Sequence, residues 1–203
     1  MLVSVISGLL LAASPPPEGT RLSVTLDGAR TDALQRAVWA HEPSDAPFPQ
    51  LSPGFGGGLS VELGMQLPNL RWLGFFVGAR GRLGSWRGAT LDDAASFWDL
   101  GLRSRIELVL GPVALWGGIG TSAGNVVART RGVEREVVAH AVDFSAGLRV
   151  KVLGPLGLGL FVETQHASSF ARPQEEFSTL RLGLDLTLTF DLGAPASERP
   201  AAR

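Results

Sequence analysis

Residues 180–192 read Leu-Arg-Leu-Gly-Leu-Asp-Leu-Thr-Leu-Thr-Phe-Asp-Leu, and this stretch decides the fold. Every second residue is apolar, so a strand would place all of the apolar side chains on one face and polar residues or Gly on the other. A helix would spread the leucines around its whole circumference. The stretch therefore predicts a β-strand. It is longer than the roughly five or six residues usual in globular proteins, and it approaches the roughly ten tilted residues that cross a bilayer.

The same alternation recurs along the chain and predicts eight strands. They are residues 20–29, 56–67, 70–86, 97–110, 113–121, 137–153, 156–166 and 177–192. Short turns are predicted at Pro68-Asn69, Gly111-Pro112 and Gly154-Pro155. The other connections are predicted to be long loops, namely residues 30–54, 87–96, 122–136 and 167–176, with a short helix or a strand extension possible within 31–40.

Long and short connections alternate strictly, and the strand number is even. With both termini on one side, the three short turns lie on that side and the four long loops on the other, as in bacterial outer-membrane barrels. A closed barrel also satisfies every backbone group in lipid. We therefore predict an all-β fold, an eight-stranded antiparallel up-and-down transmembrane β-barrel over residues 20–192. Residues 1–14 are expected to be a signal peptide and residues 193–203 a disordered tail.

Composition excludes several classes of function. The formal net charge of -1 gives no basic surface for nucleic acid. Cysteine is absent, which excludes disulfides and thiolate metal sites. The three histidines, His41, His140 and His166, have no metal-binding spacing, and no phosphate-binding or dinucleotide motif is present. We expect no cofactor and no metal.

Alternation alone does not tell which face is outside, because a soluble lipocalin-like barrel has the same period with apolar side chains inside. The balance of charges on the polar face favours the membrane, since a narrow dry lumen must pair its ions. The predicted lumen charge network consists of Arg80, Arg82, Arg103, Arg105, Arg149, Lys151, Arg181, Glu62, Asp99, Glu107, Asp143, Glu163 and Asp185. A soluble barrel that binds a small apolar ligand is the alternative.

Strand number, loop asymmetry and a last strand that ends near Phe190 resemble the small OmpA/OmpX-like outer-membrane barrels of Gram-negative bacteria. The resemblance implies a monomer exported to the outer membrane, with the barrel-insertion machinery, outer-membrane lipid and lipopolysaccharide as partners. It implies a structural or surface-interaction role. Tyr is absent, so the aromatic girdles would have to be built from residues such as Trp72, Phe97, Trp98, Phe170, Phe177 and Phe190.

Two other roles remain open for particular residues. Arg80, Arg82, Arg103 and Arg105 could line a minor ion path, as in a porin-like channel. His166-Ala167-Ser168 resembles part of the His-x-Ser-Asn motif of outer-membrane lipid A deacylases, although Ser169 replaces the Asn. That resemblance would make Ser168 the nucleophile, His166 the base, and Glu175 or Glu176 the orienting acid of a hydrolase.

Overall fold

The computed structural model describes residues 19–33, 51–67, 70–88, 94–130, 133–170 and 176–192, apart from a few side chains near the strand ends. These residues form eight β-strands. Their bounds are β1 Thr20–Ala33, β2 Leu51–Leu67, β3 Leu70–Gly88, β4 Ala94–Leu110, β5 Val113–Thr130, β6 Val133–Leu153, β7 Leu156–Ser169 and β8 Glu176–Asp191. Within the described ranges, no helix has the length and apolar character needed to cross a membrane.

The eight strands close into a barrel in chain order, and every neighbouring pair is antiparallel. The seam between β1 and β8 pairs Arg21 with Asp191 at one end and Ala33 with Thr179 at the other. A path that starts at Arg21 and moves from each residue to its paired residue on the next strand goes once around the barrel. It returns to β1 at Thr31, ten residues further along the chain. This displacement is the shear of the barrel, which tilts the strands relative to its axis. The predicted fold is confirmed.

Two of the three short turns are described, and both contain the predicted Gly-Pro pair. Gly111 and Gly154 have φ angles of 67° and 54°, which favour Gly because an added Cβ would be strained. The carbonyl of Pro112 accepts a hydrogen bond from the Lys151 N–H at 2.7 Å, and the carbonyl of Pro155 accepts one from the Thr189 N–H at 2.9 Å. Each turn is thereby hydrogen-bonded to the next strand of the sheet, β6 or β8. Pro68-Asn69 lies outside the described residues.

The connections at the opposite end are shorter than predicted, because the strands continue into the predicted loops. The clearest error is residues 122–136, which are mostly strand: β5 runs to Thr130 and β6 begins at Val133. The cause is physical, since the part of a hairpin beyond the bilayer meets water on both faces and is not under selection for apolar alternation. The possible strand extension after Arg30 exists as far as Ala33, whereas residues 34–50 lie outside the described residues.

The barrel has its apolar side chains outside and its charges inside. Leu102 and Leu184 are 66% and 64% exposed, whereas Glu163 and Arg181 are 1% and 0% exposed. A water-soluble barrel requires the reverse arrangement, because the hydrophobic effect drives apolar surface away from water. The soluble lipocalin-like alternative is therefore wrong, and the outer surface is suited to lipid.

Four of the predicted girdle residues, Trp72, Trp98, Phe170 and Phe190, are exposed near the strand ends. The assignment of Phe97 to the girdle is wrong, because this ring is buried inside the barrel. Consecutive residues of a strand point to opposite faces, so Trp98 and its neighbour cannot both face outward. The side chain of Phe177 is not among those described.

Leu102 and Leu110 offer a matched test of the lipid-facing surface. Both are exposed leucines of β4, but Leu102 lies midway along the strand and Leu110 borders the turn at Gly111. Because the cost of a lipid-facing cation depends on depth, Leu102→Arg should lower the free energy of unfolding by about 2–4 kcal/mol and Leu110→Arg by about 0–1 kcal/mol. Urea titration in phospholipid vesicles, followed by tryptophan fluorescence, measures both. Equal and negligible effects would contradict a membrane-spanning barrel.

Candidate functional site

The lumen is the chemically distinctive part of the molecule, because it holds buried ionic groups of both signs. Among the described residues, the buried charged side chains are those of Arg80, Arg82, Arg103, Arg105, Arg149, Arg181, Asp27, Glu62, Asp99, Glu107, Asp143, Glu163 and Asp185. Twelve of these were predicted as network members from the sequence, and Asp27 was not. The thirteenth predicted member, Lys151, is exposed at the end of β6 instead, because it lies where the lumen opens to solvent beside the turns.

Glu163 is the centre of the network. Its Oε1 accepts hydrogen bonds from Arg82 at 2.8 Å and from Arg181 at 2.9 Å, and its Oε2 accepts a short hydrogen bond from Arg80. Three guanidinium groups therefore surround one carboxylate that has almost no solvent contact. Arg80 and Arg82 belong to β3, whereas Glu163 belongs to β7. These bonds cross the lumen and connect strands that are not neighbours in the sheet.

The network continues from this centre toward β1 and β4. Arg181 donates to Asp27 at 2.8 Å, and the Arg80 guanidinium lies 3.5 Å from the same carboxylate. Arg82 binds Asp99 through two parallel hydrogen bonds of 2.8 Å each, a geometry that fixes both groups. Further contacts run from Arg82 to Ser122 at 3.0 Å, from Gln165 to Asp99 at 3.0 Å, and from Asp143 to Arg80 at 3.5 Å and Arg82 at 3.4 Å.

A second group of ions lies nearer the short turns. Arg105 pairs with Glu62 at 2.8 Å and forms a short hydrogen bond with Glu107. Arg149 donates to Glu107 at 3.3 Å and to Asp185 at 3.2 Å. These contacts join β4 to β2, β6 to β4, and β6 to β8, so they too link strands that are not adjacent.

Aromatic rings occupy much of the remaining lumen, and four of them lie directly opposite a glycine of a neighbouring strand. The pairs are Gly64 with Phe76, Gly84 with Phe97, Trp116 with Gly147, and Phe161 with Gly183. Several rings also receive a guanidinium on their face: Arg105 lies 4.2 Å from the centroid of Phe76, and Arg103 lies 4.6 Å from that of Trp116. Because Gly has no side chain, it makes room for the ring.

An apolar cluster fills the lumen on its long-loop side. It consists of Trp86, Ala95, Phe97 and Ala128, with Val126 packed against it. The rings of Trp86 and Phe97 lie 5.0 Å apart. The interior is filled with side chains, both by this cluster and by the ion pairs that cross the lumen. This is expected for a barrel of eight strands. The arrangement gives no support to an ion path along Arg80, Arg82, Arg103 and Arg105.

Two of the candidate hydrolase residues, His166 and Ser168, lie on the outer face of β7. His166 is exposed, and its Nδ1 is 2.8 Å from the Oγ of Ser178 on β8. Ser168 lies two residues further along β7 and is opposite His140 and Glu176 in the ladders. Glu175 and the side chain of Glu176 lie outside the described residues. Within the described residues, the structure therefore shows a hydrogen bond between His166 and Ser178, a serine that was not among the predicted hydrolase residues.

Metal ligation was also weighed from the sequence. In the part of the chain that the structure describes, no group of three or more His, Cys, Asp or Glu side chains is placed to hold a metal ion. His140 instead packs its ring 4.9 Å from that of Phe170. His41 lies outside the described residues.

Glu163→Gln tests the stabilising role of the network, and Glu134→Gln is its control. Both glutamates bind an Arg at 2.9 Å, but Glu163 is buried and the Arg129–Glu134 pair is exposed. Removing the buried carboxylate leaves three guanidinium groups without their shared counter-charge, so the free energy of unfolding should fall by about 3–5 kcal/mol. The exposed substitution should cost about 1 kcal/mol or less. Similar losses at both sites, measured by urea titration, would show that the network contributes little.

Gly147→Ala tests the pairing of rings with glycines, with Gly28→Ala as control. A Cβ at Gly147 would lie 2.6 Å from the Trp116 ring and 2.6 Å from the backbone carbonyl oxygen of Leu160, whereas one at Gly28 would have no atom within 4 Å. Overpacking should destabilise Gly147→Ala by about 1–3 kcal/mol. Gly28→Ala should change the free energy of unfolding by about 1 kcal/mol or less, in either direction. A neutral Gly147→Ala would mean that both the ring and the Leu160 carbonyl can move aside.

Comparison with known proteins identifies the fold. Neither a protein-family model nor a curated protein sequence matches the chain. Among solved structures, Neisserial surface protein A (NspA) matches with a TM-score of 0.52 at 10% identity, over 85% of this chain and 97% of the other. The N-terminal β-barrel domain of Pseudomonas aeruginosa OprF matches with a TM-score of 0.48 at 10% identity, over 83% and 97%. Ail of Yersinia pestis matches with a TM-score of 0.40 at 12% identity, over 85% and 100%. The chain shares the eight-stranded barrel fold with NspA.

Proposed function

We propose that this chain is an outer-membrane β-barrel protein of structural or surface-interaction type, with a lumen closed by its own ionic network. The observation that carries the proposal is the exposed leucine surface around a charged interior, exemplified by Leu184 and Arg181. Such a surface is stable only in lipid, and a barrel is the form in which β-strands span a bilayer. The fold shared with NspA, whose name describes a surface protein, is consistent with it.

The interior supports a structural role for the barrel rather than a transport role. Charges such as those of Glu163 and Arg82 are used to bind one another across the lumen, so few polar groups are left to guide a solute. We therefore place the surface-interaction role in the parts that leave the membrane. We propose that lipid and lipopolysaccharide surround the barrel and that the barrel-insertion machinery assembles it, after export by the N-terminal segment 1–14. A single chain closes the barrel, which favours a monomer.

The hairpin formed by β5 and β6 is the part best suited to surface interaction. At the long-loop end, the last pair between β6 and β7 is Ala139 with Ser169, whereas β6 begins at Val133. Six residues of β6, 133–138, therefore extend beyond the end of β7. The exposed Arg129 and Glu134 lie opposite each other near the tip of this hairpin. Of the described parts of the barrel, the projecting hairpin would be the one that a partner outside the cell meets first.

Single cysteines test both the location and the orientation, because the natural chain has none. Arg129→Cys places a thiol on the projecting hairpin, and Pro112→Cys places one on an exposed short turn. A membrane-impermeant maleimide should label Arg129→Cys on intact cells of a Gram-negative host. It should label Pro112→Cys only after the outer membrane is permeabilised.

The same cells provide the folding control, since a folded barrel migrates anomalously on a gel until it is boiled. Labelling of Pro112→Cys, but not Arg129→Cys, on intact cells would reverse the proposed orientation. Recovery of the wild-type protein in the soluble periplasmic fraction, without a heat-modifiable band, would contradict the outer-membrane assignment itself.

A further inference from the structure

Lys151 is unusual in this chain. Of the 18 basic residues, 17 are Arg and Lys151 alone is Lys. It stands near the end of β6, immediately before an irregularity in the pairing with β7 between Lys151 and Leu153. Its side chain is exposed. Irregularities of this kind often redirect a side chain at a functional position.

Lys151 lines a cavity of about 180 Å³ at the short-turn mouth of the barrel. The other charged groups of this cavity, which we call the mouth cavity, are Arg21, Arg149, Glu107 and Asp191. A single water needs about 10–15 Å³ of such volume, so the cavity has room for a small organic acid or a phosphate with a few waters. The cavity lies inside the lumen and faces away from the lipid.

The mouth cavity is lined by one more positive side chain than negative side chains. Arg21 pairs with Asp191 at 2.7 Å, and Arg149 is held by Glu107 at 3.3 Å and Asp185 at 3.2 Å. Lys151 forms no ion pair with any residue that the structure describes. Both carboxylates that line the cavity are therefore already neutralised, while the ammonium group is not.

The walls of the mouth cavity are rigid. Pro112 and Pro155 line it, and their carbonyls accept the hydrogen bonds from Lys151 and Thr189 that fasten the turns to the neighbouring hairpins. Arg149 is buried and anchored by two carboxylates. A ligand that binds here therefore needs little ordering of the backbone, and the cost of ordering falls mainly on the Lys151 side chain.

We propose that the mouth cavity binds a small oxyanion, a carboxylate or a phosphate, with the ammonium group of Lys151 as its principal contact and the guanidinium of Arg149 as a second donor. Lys suits this task because its ammonium is a compact charge with three donors on a flexible stem. The arginines of the lumen are instead used where a planar group is fixed by carboxylates, as in the pair of Arg82 with Asp99.

The single lysine makes the proposal directly measurable. Reductive methylation with ¹³C-formaldehyde labels the Lys151 amine and the chain terminus, and it keeps the positive charge. The signal that disappears in Lys151→Arg is that of Lys151. The folded protein in detergent micelles is titrated at constant pH and ionic strength with sodium phosphate, sodium acetate or sodium chloride. We expect a saturable shift of the Lys151 signal with at least one oxyanion, with a dissociation constant of roughly 1 mM, and no saturable shift with chloride.

Asp191→Asn and Asp32→Asn provide the matched variants. Both aspartates pair with an Arg of β1, but Asp191 lines the mouth cavity and the Arg30–Asp32 pair lies at the other end of the barrel. Removing the nearby negative charge and releasing Arg21 should tighten oxyanion binding severalfold in Asp191→Asn, while Asp32→Asn should bind like the wild type. A heat-modifiable band shows that each variant is folded.

The outcomes separate clearly. A saturable shift of the Lys151 signal with phosphate but not with acetate would indicate that the ligand is a phosphate. The reverse result would indicate a carboxylate. Absence of a saturable shift with both oxyanions would overturn the proposal, as would an equal response to chloride. An equal gain in affinity from Asp32→Asn would overturn it too, because the effect would then reflect overall charge and no defined site.

Discussion

The contact of Glu163 with three arginines is the interaction on which the lumen depends. A carboxylate with 1% exposure has lost its water, and only opposite charges and hydrogen bonds can replace that hydration. Arg80, Arg82 and Arg181 supply both. Because Arg80 and Arg82 come from β3, on the opposite side of the barrel from β7, the requirement to neutralise one anion also ties opposite walls of the barrel together. A lipid-facing exterior makes this ionic interior necessary, since the polar residues of each strand have no other face to occupy.

Packing in the lumen follows from the register of the strands. Large side chains and glycines stand opposite each other, so that one strand supplies the volume that its neighbour lacks. Trp116 with Gly147 shows the rule for rings, and Asp143 with Gly120 shows it for an ionic group. A shift of the register by one residue would exchange the faces of the strand. The glycines of the polar face thus specify the pairing as strongly as the outward leucines do.

The sequence predicts the barrel well where lipid imposes alternation and poorly where it does not. The run of leucines from Leu180 to Leu188 indicates a strand by itself, and the Gly111-Pro112 turn is located to the residue. Beyond the bilayer the signal disappears: the stretch from Gly124 to Arg129 alternates in no clear way, yet it is strand.

The sequence predicts which residues face the lumen, but it does not predict which of them are in contact with each other. Alternation assigns Glu163 and Arg82 to the same face, whereas their contact also depends on shear and on the curvature of the closed sheet, which no local pattern encodes. Lys151 was assigned to the network for the same reason. Lys151 belongs to the same face of β6 as Arg149. Its distance from the mouth of the lumen, however, depends on where the neighbouring turns lie, which the alternation does not show.

The seam between β1 and β8 has a consequence for how the chain acquires its structure. Arg21 and Asp191 are 170 positions apart, so the first strand must wait for the last to be synthesised before it gains its second neighbour. Pairing of strands so far apart in the chain has to follow loop closure, and such non-local pairing makes folding slow. In the meantime both terminal strands present open edges that can join other chains. A molecule of this design therefore has to be shielded from aggregation until its C-terminal strand is in place.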